Sequence, residues 1–179
     1  THVVICGGAW TQGFATQLGV HVPVQPQRGQ IVHLDLGETD TTGWPFVSGF
    51  RDHYLVSWPD HRVVAGATRE TGSGFEPVTT AAGIREVLSE ALRVAPGLAG
   101  ARVKEIRVGL RPLAADGLPV LGRIPGIENA WLATGHGPAG LQLGPYSGKL
   151  MADFILDQEV PGYVSAFGIE RFSENRMES

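Results

Sequence analysis

An α+β fold, in which an antiparallel-rich mixed sheet and its helix are inserted into a Rossmann-like framework split between the two chain ends, is predicted by three changes of pattern along the 179 residues. The chain opens on a continuous apolar run. It passes into strands of alternating polarity with one amphipathic helix, and closes on strand, glycine loop and helix. Continuous apolar strands suit a parallel sheet covered on both faces, whereas alternation suits antiparallel strands with one face covered.

Val3 to Cys6 is the continuous run, rich in β-branched residues and expected to be buried on both faces, and Gly7 and Gly8 end it. "RGQIVHLDL" (28–36) alternates, with Ile31, His33 and Asp35 on one face and Val32, Leu34 and Leu36 on the other, as a half-buried strand does. "HYLVSW" (53–58) and "RVVAGAT" (62–68), joined by "PDH", form an antiparallel hairpin. Ile84, Val87, Leu88, Ala91 and Leu92 recur at helical spacing, with Thr79 or Thr80 as N-cap and Pro96-Gly97 as terminator, so this helix should cover one sheet face. "VKEIRVGLRPL" (103–113) reads as a strand, "ADGLP" as a turn and "AWLAT" (130–134) as a short apolar strand. A helix from about Gly140 to Asp157 carries Leu150, Phe154 and Ile155 on one face, and the polar end "RFSENRMES" should fray.

A net charge of -4 without a basic block argues against nucleic acid, since phosphate binding needs clustered Lys and Arg. Small molecules are the expected partners. Cys6 has no second cysteine to pair with, which fits a cytoplasmic setting, and the six histidines show no zinc-ligand spacing, so no metal is expected. No apolar run reaches the roughly 18 residues needed to span a bilayer. There is no initiating Met and the first strand has nothing before it to pair with, so the chain reads as a fragment.

A dinucleotide fingerprint needs G-x-G-x-x-G, which Gly7, Gly8 and Gly13 do not fit, and Trp10 would crowd the approach. "GHGPAGLQLGP" (135–145) is more informative: lying between a strand and a helix, it can turn backbone N–H groups and a helix N-terminus toward a ligand. Its glycines can equally serve only to supply positive φ, and spacing does not choose between these readings. Arg111, in "GLRP" at a strand end, has the planar fork that grips a carboxylate, or else makes a surface ion pair. Tyr54 is a core ring with its hydroxyl at the edge or a site residue, and His136 an acid–base group or a loop residue held by backbone. No nucleophile frame is present among the serines, and Cys6 falls in the strand expected to be buried.

Taken in series, "VVICGGAW", "RGQ", "YLV", "VVAGAT", "GLRP", "DGLPVLG", "ATGHGPAGLQLGP" and "SAFGIERF" resemble the C-terminal half of the FAD-dependent D-amino-acid oxidase/dehydrogenase family, which includes glycine oxidase. The likeness covers nearly the whole chain in the family's order. It implies that "VVICGGAW" is a late strand of the FAD domain, that the G-x-G-x-x-G strand lies upstream of Thr1, and that a substrate-binding domain, 25–112, is flanked by FAD-domain pieces, 1–24 and 113–179.

The resemblance further implies that Arg111 binds the substrate carboxylate with Tyr54 beside the reacting centre, and that Arg69 also lines the substrate pocket. It implies FAD contacts from Gly7 and Gly8 and from Gly135, His136, Gly137, Pro138, Ala139, Gly140, Leu141 and Gln142, mainly through backbone. Where the family's glycine oxidases have an arginine in this loop the sequence has Pro138, so one carboxylate contact is lost. The implied reaction is oxidative deamination of an amino acid or secondary amine: the Cα–H leaves as hydride to the flavin, and the imine hydrolyses to a keto acid and ammonia. Oxidase and dehydrogenase both stay open, as do a homo-oligomer and membrane association through an electron acceptor. The alternatives are a flavin-free, non-catalytic binding module and, last, a hydrolase or transferase on a similar sheet.

Overall fold

The computed structural model describes residues 1–157 and 162–173. In chain order the elements are β1 (Val3–Ile5), α1 (Thr11–Gln17), β2 (Val24–Asp35), β3 (Val47–Ser48), β4 (Tyr54–Trp58), β5 (Arg62–Gly66), β6 (Glu70–Thr71), α2 (Ala81–Val94), β7 (Arg102–Ala114), β8 (Val120–Arg123), β9 (Ala130–Thr134) and α3 (Gly140–Asp157), with short 3-10 turns between them. The chain forms two compact units, residues 28–110 and residues 1–27 with 111–179.

In the 28–110 unit the strand order is β3-β4-β5-β2-β6, with β7 also paired to β2. The hairpin β4–β5 pairs Tyr54 with Gly66 and Trp58 with Arg62, and β2 pairs Ile31 with Gly66. Partners across a sheet share a face. Val32, Leu34, Leu55, Val63 and Ala65 therefore turn together toward Val87 and Ala91 of α2 and make this unit's core. The other face carries Ile31, His33, Tyr54, Val56 and Val64. Each fully buried aliphatic side chain contributes about 1.5–3 kcal/mol. Thr80 is the N-cap of α2, accepting from the Gly83 N–H at 3.1 Å, and the side-chain amide of fully buried Gln30 holds Thr80 from both sides. That clamp fixes where α2 starts on the sheet.

In the other unit β9 lies between β1, parallel to it, and β8, antiparallel. Alternation along β8 and β9 feeds two cores. Leu121 and Trp131 pack on Leu150, Met151 and Phe154 of α3, while Val120, Ala130 and Leu132 pack with Ala15, Val22, Val24 and Ile169.

Most element boundaries match the sequence reading, including α2 and α3, but four differences have clear causes. The double-sided burial expected of the first strand occurs at β9. β1 is an edge strand among the described residues, Val3 is 54% exposed, and Cys6, expected inside, is exposed. α1 has weak helix formers such as Gly13 and two threonines, and is held by burial of Thr11 and Ala15. β8 runs through Gly122 and follows Pro119, which read as punctuation. β2 starts four residues before its alternating stretch, at Val24. The fraying expected of the polar end falls, from residue 174 onward, outside the described residues. Among the described residues no helix is long and apolar enough to cross a membrane, and no three His, Cys, Asp or Glu side chains cluster as metal ligands do.

Candidate functional site

The two glycine segments expected to contact a cofactor are distant in sequence and adjacent in space. The hydroxyls of Thr11 and Thr134 donate to the Gly8 carbonyl at 2.8 and 3.1 Å and lie 2.9 Å apart, both fully or nearly fully buried. This ties Gly8 to the residue before Gly135, at the C-terminal ends of parallel β1 and β9. In α/β sheets that edge is where ligands bind. Gly135 has φ +76°, and a Cβ there would come within 3.1 Å of Ala114 Cβ, so the turn leaving β9 needs glycine. Gly137 (φ +53°) follows, then the 3-10 turn Gly137–Ala139, then α3.

His136 is half-buried, its Nε2 2.9 Å from Ser147 Oγ on α3, and burial holds its pKa below the usual value. Leu141 and Leu143 in the first turn of α3 expose their side chains, Leu141 at 96%. Gly8 and Gly137 both lie in the left-handed region, and a Cβ at Gly8 would meet nothing. Open space beside Gly8, a glycine turn, a helix N-terminus and uncovered leucines together fit a large, flat, phosphate-bearing cofactor such as FAD.

Arg111 belongs to this same unit. It is half-buried in β7, two residues before Leu113, which forms an antiparallel bridge with His136. Two strand residues span about 6.8 Å, so the Arg111 backbone lies about that far along β7 from the residue bridged to His136.

Tyr54 and Arg69 belong to the 28–110 unit. Tyr54 is half-buried on the sheet face opposite α2, stacked on Phe46 with ring centroids 6.0 Å apart. Arg69 is exposed and pairs with Asp52, Nη1 to Oδ2 3.1 Å. It lines a pocket of about 160 Å³ together with Arg51, His53, Ala67, Glu86 and Glu90. Arg51 and Asp52 both have left-handed backbone, φ 57° and 62°, at roughly 1–2 kcal/mol each for residues with a Cβ. The sequence reading missed His53, Arg51, Glu86 and Glu90. A signal was present for the two glutamates, which stand at i, i+4 and so on one face of α2.

The chain is 41% identical over 158 residues to an uncharacterized oxidoreductase, YurR, of Bacillus subtilis, an alignment that covers 88% of this chain and 42% of that one. It is 32% identical to a glycine oxidase of Pseudomonas putida, with the same coverage. Among solved structures, iminodiacetate oxidase from Chelativorans sp. BNC1 superposes with a TM-score of 0.88 at 41% identity, over 93% of this chain and 45% of that one. The chain thus spans less than half the length of these relatives. A family model described as FAD dependent oxidoreductase (DAO) matches residues 1–154, and the chain belongs to that family.

Proposed function

We propose that the intact protein carrying this chain oxidises a small amino acid or secondary amine with FAD. In this reading residues 28–110 belong to a substrate-binding domain and the flanking segments to an FAD-binding domain. The observation that carries it is the meeting of Gly8 with Thr134, and of β7 with His136, which gathers Arg111 and both glycine segments into one unit. The relatives' substrates, glycine and iminodiacetate, both carry a carboxylate on the carbon next to nitrogen. A guanidinium is suited to that group through two parallel hydrogen bonds.

Arg111 holds the substrate carboxylate and so fixes which way the Cα–H bond faces. Such orientation supplies several kcal/mol, of order 7–11 in ideal cases. Tyr54 and Arg69 bound the pocket. The backbone from Gly135 to Gln142, with Gly7 and Gly8, cradles the cofactor, and the α3 N-terminus favours negative charge near it. Bound FAD would take the two electrons and the hydrogen of the Cα–H bond, and the imine left behind hydrolyses in water to a carbonyl acid and an amine or ammonia. In the intact flavoprotein, Arg111→Leu should raise KM for the amino acid by about tenfold to a hundredfold, the scale of a lost charged hydrogen-bond pair. An unchanged KM removes Arg111 from the site.

A further inference from the structure

We propose that Thr134 is a positioning residue for the cofactor: its buried hydroxyl, with that of Thr11 as proton partner, sets the distance between the Gly7–Gly8 segment and the Gly135–Gly137 turn. The inference rests on the reading of that edge as an FAD site and deepens it. All of its residues belong to one unit.

The backbone ladder stops short of the glycines. It runs between parallel β1 and β9 from Val3–Ala130 to Ile5–Leu132, and past it the two chains lead into the glycine segments, as strands do where an α/β sheet opens a ligand crevice. Thr134, the last residue of β9, is fixed from the other side by its pairing with Val120 of β8. From that anchor its hydroxyl reaches the Gly8 carbonyl at 3.1 Å and the Thr11 hydroxyl at 2.9 Å, while the Thr11 hydroxyl stands 2.8 Å from the same carbonyl. Thr11 is 0% and Thr134 2% exposed, and a hydroxyl shut away from water without a partner is costly.

Counting protons separates the two roles. Two hydroxyls bring two protons to three contacts. The Gly8 carbonyl has two lone pairs, one of them taken by the Thr11 backbone N–H, so one hydroxyl donates to it and the second donates to the first. Without the Thr11 hydroxyl, Thr134 donates straight to Gly8 and the link from β9 survives. Without the Thr134 hydroxyl, Thr11 still donates to Gly8, but these two residues sit on one segment and this link to β9 is gone. The two threonines are alike in burial and unlike as links, an asymmetry that a purely structural role does not give.

In the test the intact flavin-loaded protein is diluted in steps, released flavin is followed by the fluorescence it gains on leaving the protein, and thermal melts are run on the same samples. Thr134→Val should raise the apparent dissociation constant of the flavin about fivefold, the scale of one neutral hydrogen bond. Thr11→Val should stay near the wild type in flavin release although it too lowers the melting temperature, and the double variant should match Thr134→Val. Thr134→Ser should hold flavin as the wild type does while Thr134→Ala does not, and this pair carries the test where valine is not accommodated. The inference is overturned if Thr134→Val and Thr134→Ala hold flavin like the wild type, or if Thr11→Val releases it as readily as Thr134→Val. A wild-type protein without flavin would overturn the FAD reading itself, and this inference with it, before any variant is made.

Discussion

The phenol ring of Tyr54 lies across Gly66 on the neighbouring strand, so close that a Cβ at 66 would stand 2.6 Å from both Tyr54 Cζ and Oη and 2.9 Å from Ile31 Cγ2. The pairing of Tyr54, Gly66 and Ile31 in one row of the sheet makes this contact unavoidable. Gly66 is therefore glycine for space, and the ring's height above the sheet depends on it. Gly66→Ala should destabilise the protein by about 1–3 kcal/mol, the usual cost of overpacking, and lift Tyr54 from its place. In a Tyr54→Leu background most of that cost should disappear. A thermal-melt double-mutant cycle measures the coupling, and additive losses would show that the ring does not fill the space above Gly66.

Gly83 answers a similar question with the opposite local expectation. An alanine inside a helix normally adds about 1 kcal/mol over glycine. At 83, however, a Cβ would fall on the Gln30 amide, 2.6 Å from Cδ and 2.9 Å from Oε1. That amide cannot swing away cheaply. It donates to Glu70 and Thr80 at 2.7 and 2.9 Å and accepts from the Thr80 N–H at 3.0 Å. Gly83→Ala should therefore lower stability, by about 2 kcal/mol, with a lower denaturation midpoint. A raised midpoint would mean that the Gln30 clamp is loose.

Glu70 collects the charge of that same network. Burial pushes its carboxyl up, but hydrogen bonds from Thr68 at 2.7 Å, Gln30 at 2.7 Å and Arg28 at 2.6 Å outweigh it and hold the pKa below 4.5. In the other unit the two Arg171–Asp116 hydrogen bonds, 2.6 and 3.1 Å, depress Asp116 below 3.8. Carboxylates lowered on folding contribute stability that is complete above their unfolded pKa and lost as pH falls through the folded one. Acid unfolding should thus begin below about pH 4.5. Glu70→Gln, which leaves Arg28 largely buried without its counter-charge, should cost about 2–3 kcal/mol at neutral pH and flatten part of the acid limb. An unaltered limb in urea titrations would exclude Glu70 as a contributor.

How much of this was legible beforehand depends on the reach of each signal. Ile84, Val87, Leu88, Ala91 and Leu92 mark α2 because a helix that covers a sheet repeats its apolar face locally, and Thr80 caps it as such a residue does. The row Ile31, Gly66, Tyr54 is not local. Alternation assigns each residue to a face but not to a register, so the ring over Gly66 and the clamp of Gln30 on Gly83 had no signature. For the candidate site the contrast is sharper. Gly135 to Gly140 announced a turn that needs glycine, yet its meeting with Gly8 runs through two threonine hydroxyls more than a hundred residues apart in sequence. His53 went unnoticed because a histidine beside a strand looks the same whether it faces water or a buried pocket.

The buried histidines give the neutral-pH counterpart of the carboxylate prediction. His33 is 1% exposed, edge-on to Trp58 with ring centroids 6.2 Å apart, and among the described residues neither ring nitrogen has a hydrogen-bond partner. Burial, with Arg107 and Arg62 adding to it against Glu105, keeps its pKa below 6.5, and burial does the same for His136. Here the unfolded chain takes up protons first. Between the folded value and 6.5 it binds more of them than the folded protein, so stability rises with pH in that window. It is complete above about 6.5 and is lost as pH falls toward the folded value. The melting temperature should therefore drop between about pH 6.5 and the onset of carboxylate protonation. His33→Phe, which keeps an aromatic ring against Trp58, should remove the His33 share of that drop and leave the His136 share. A His33 ring proton that titrates at 6.5 by NMR, or a drop of unchanged size in His33→Phe, would show that the imidazole reaches water.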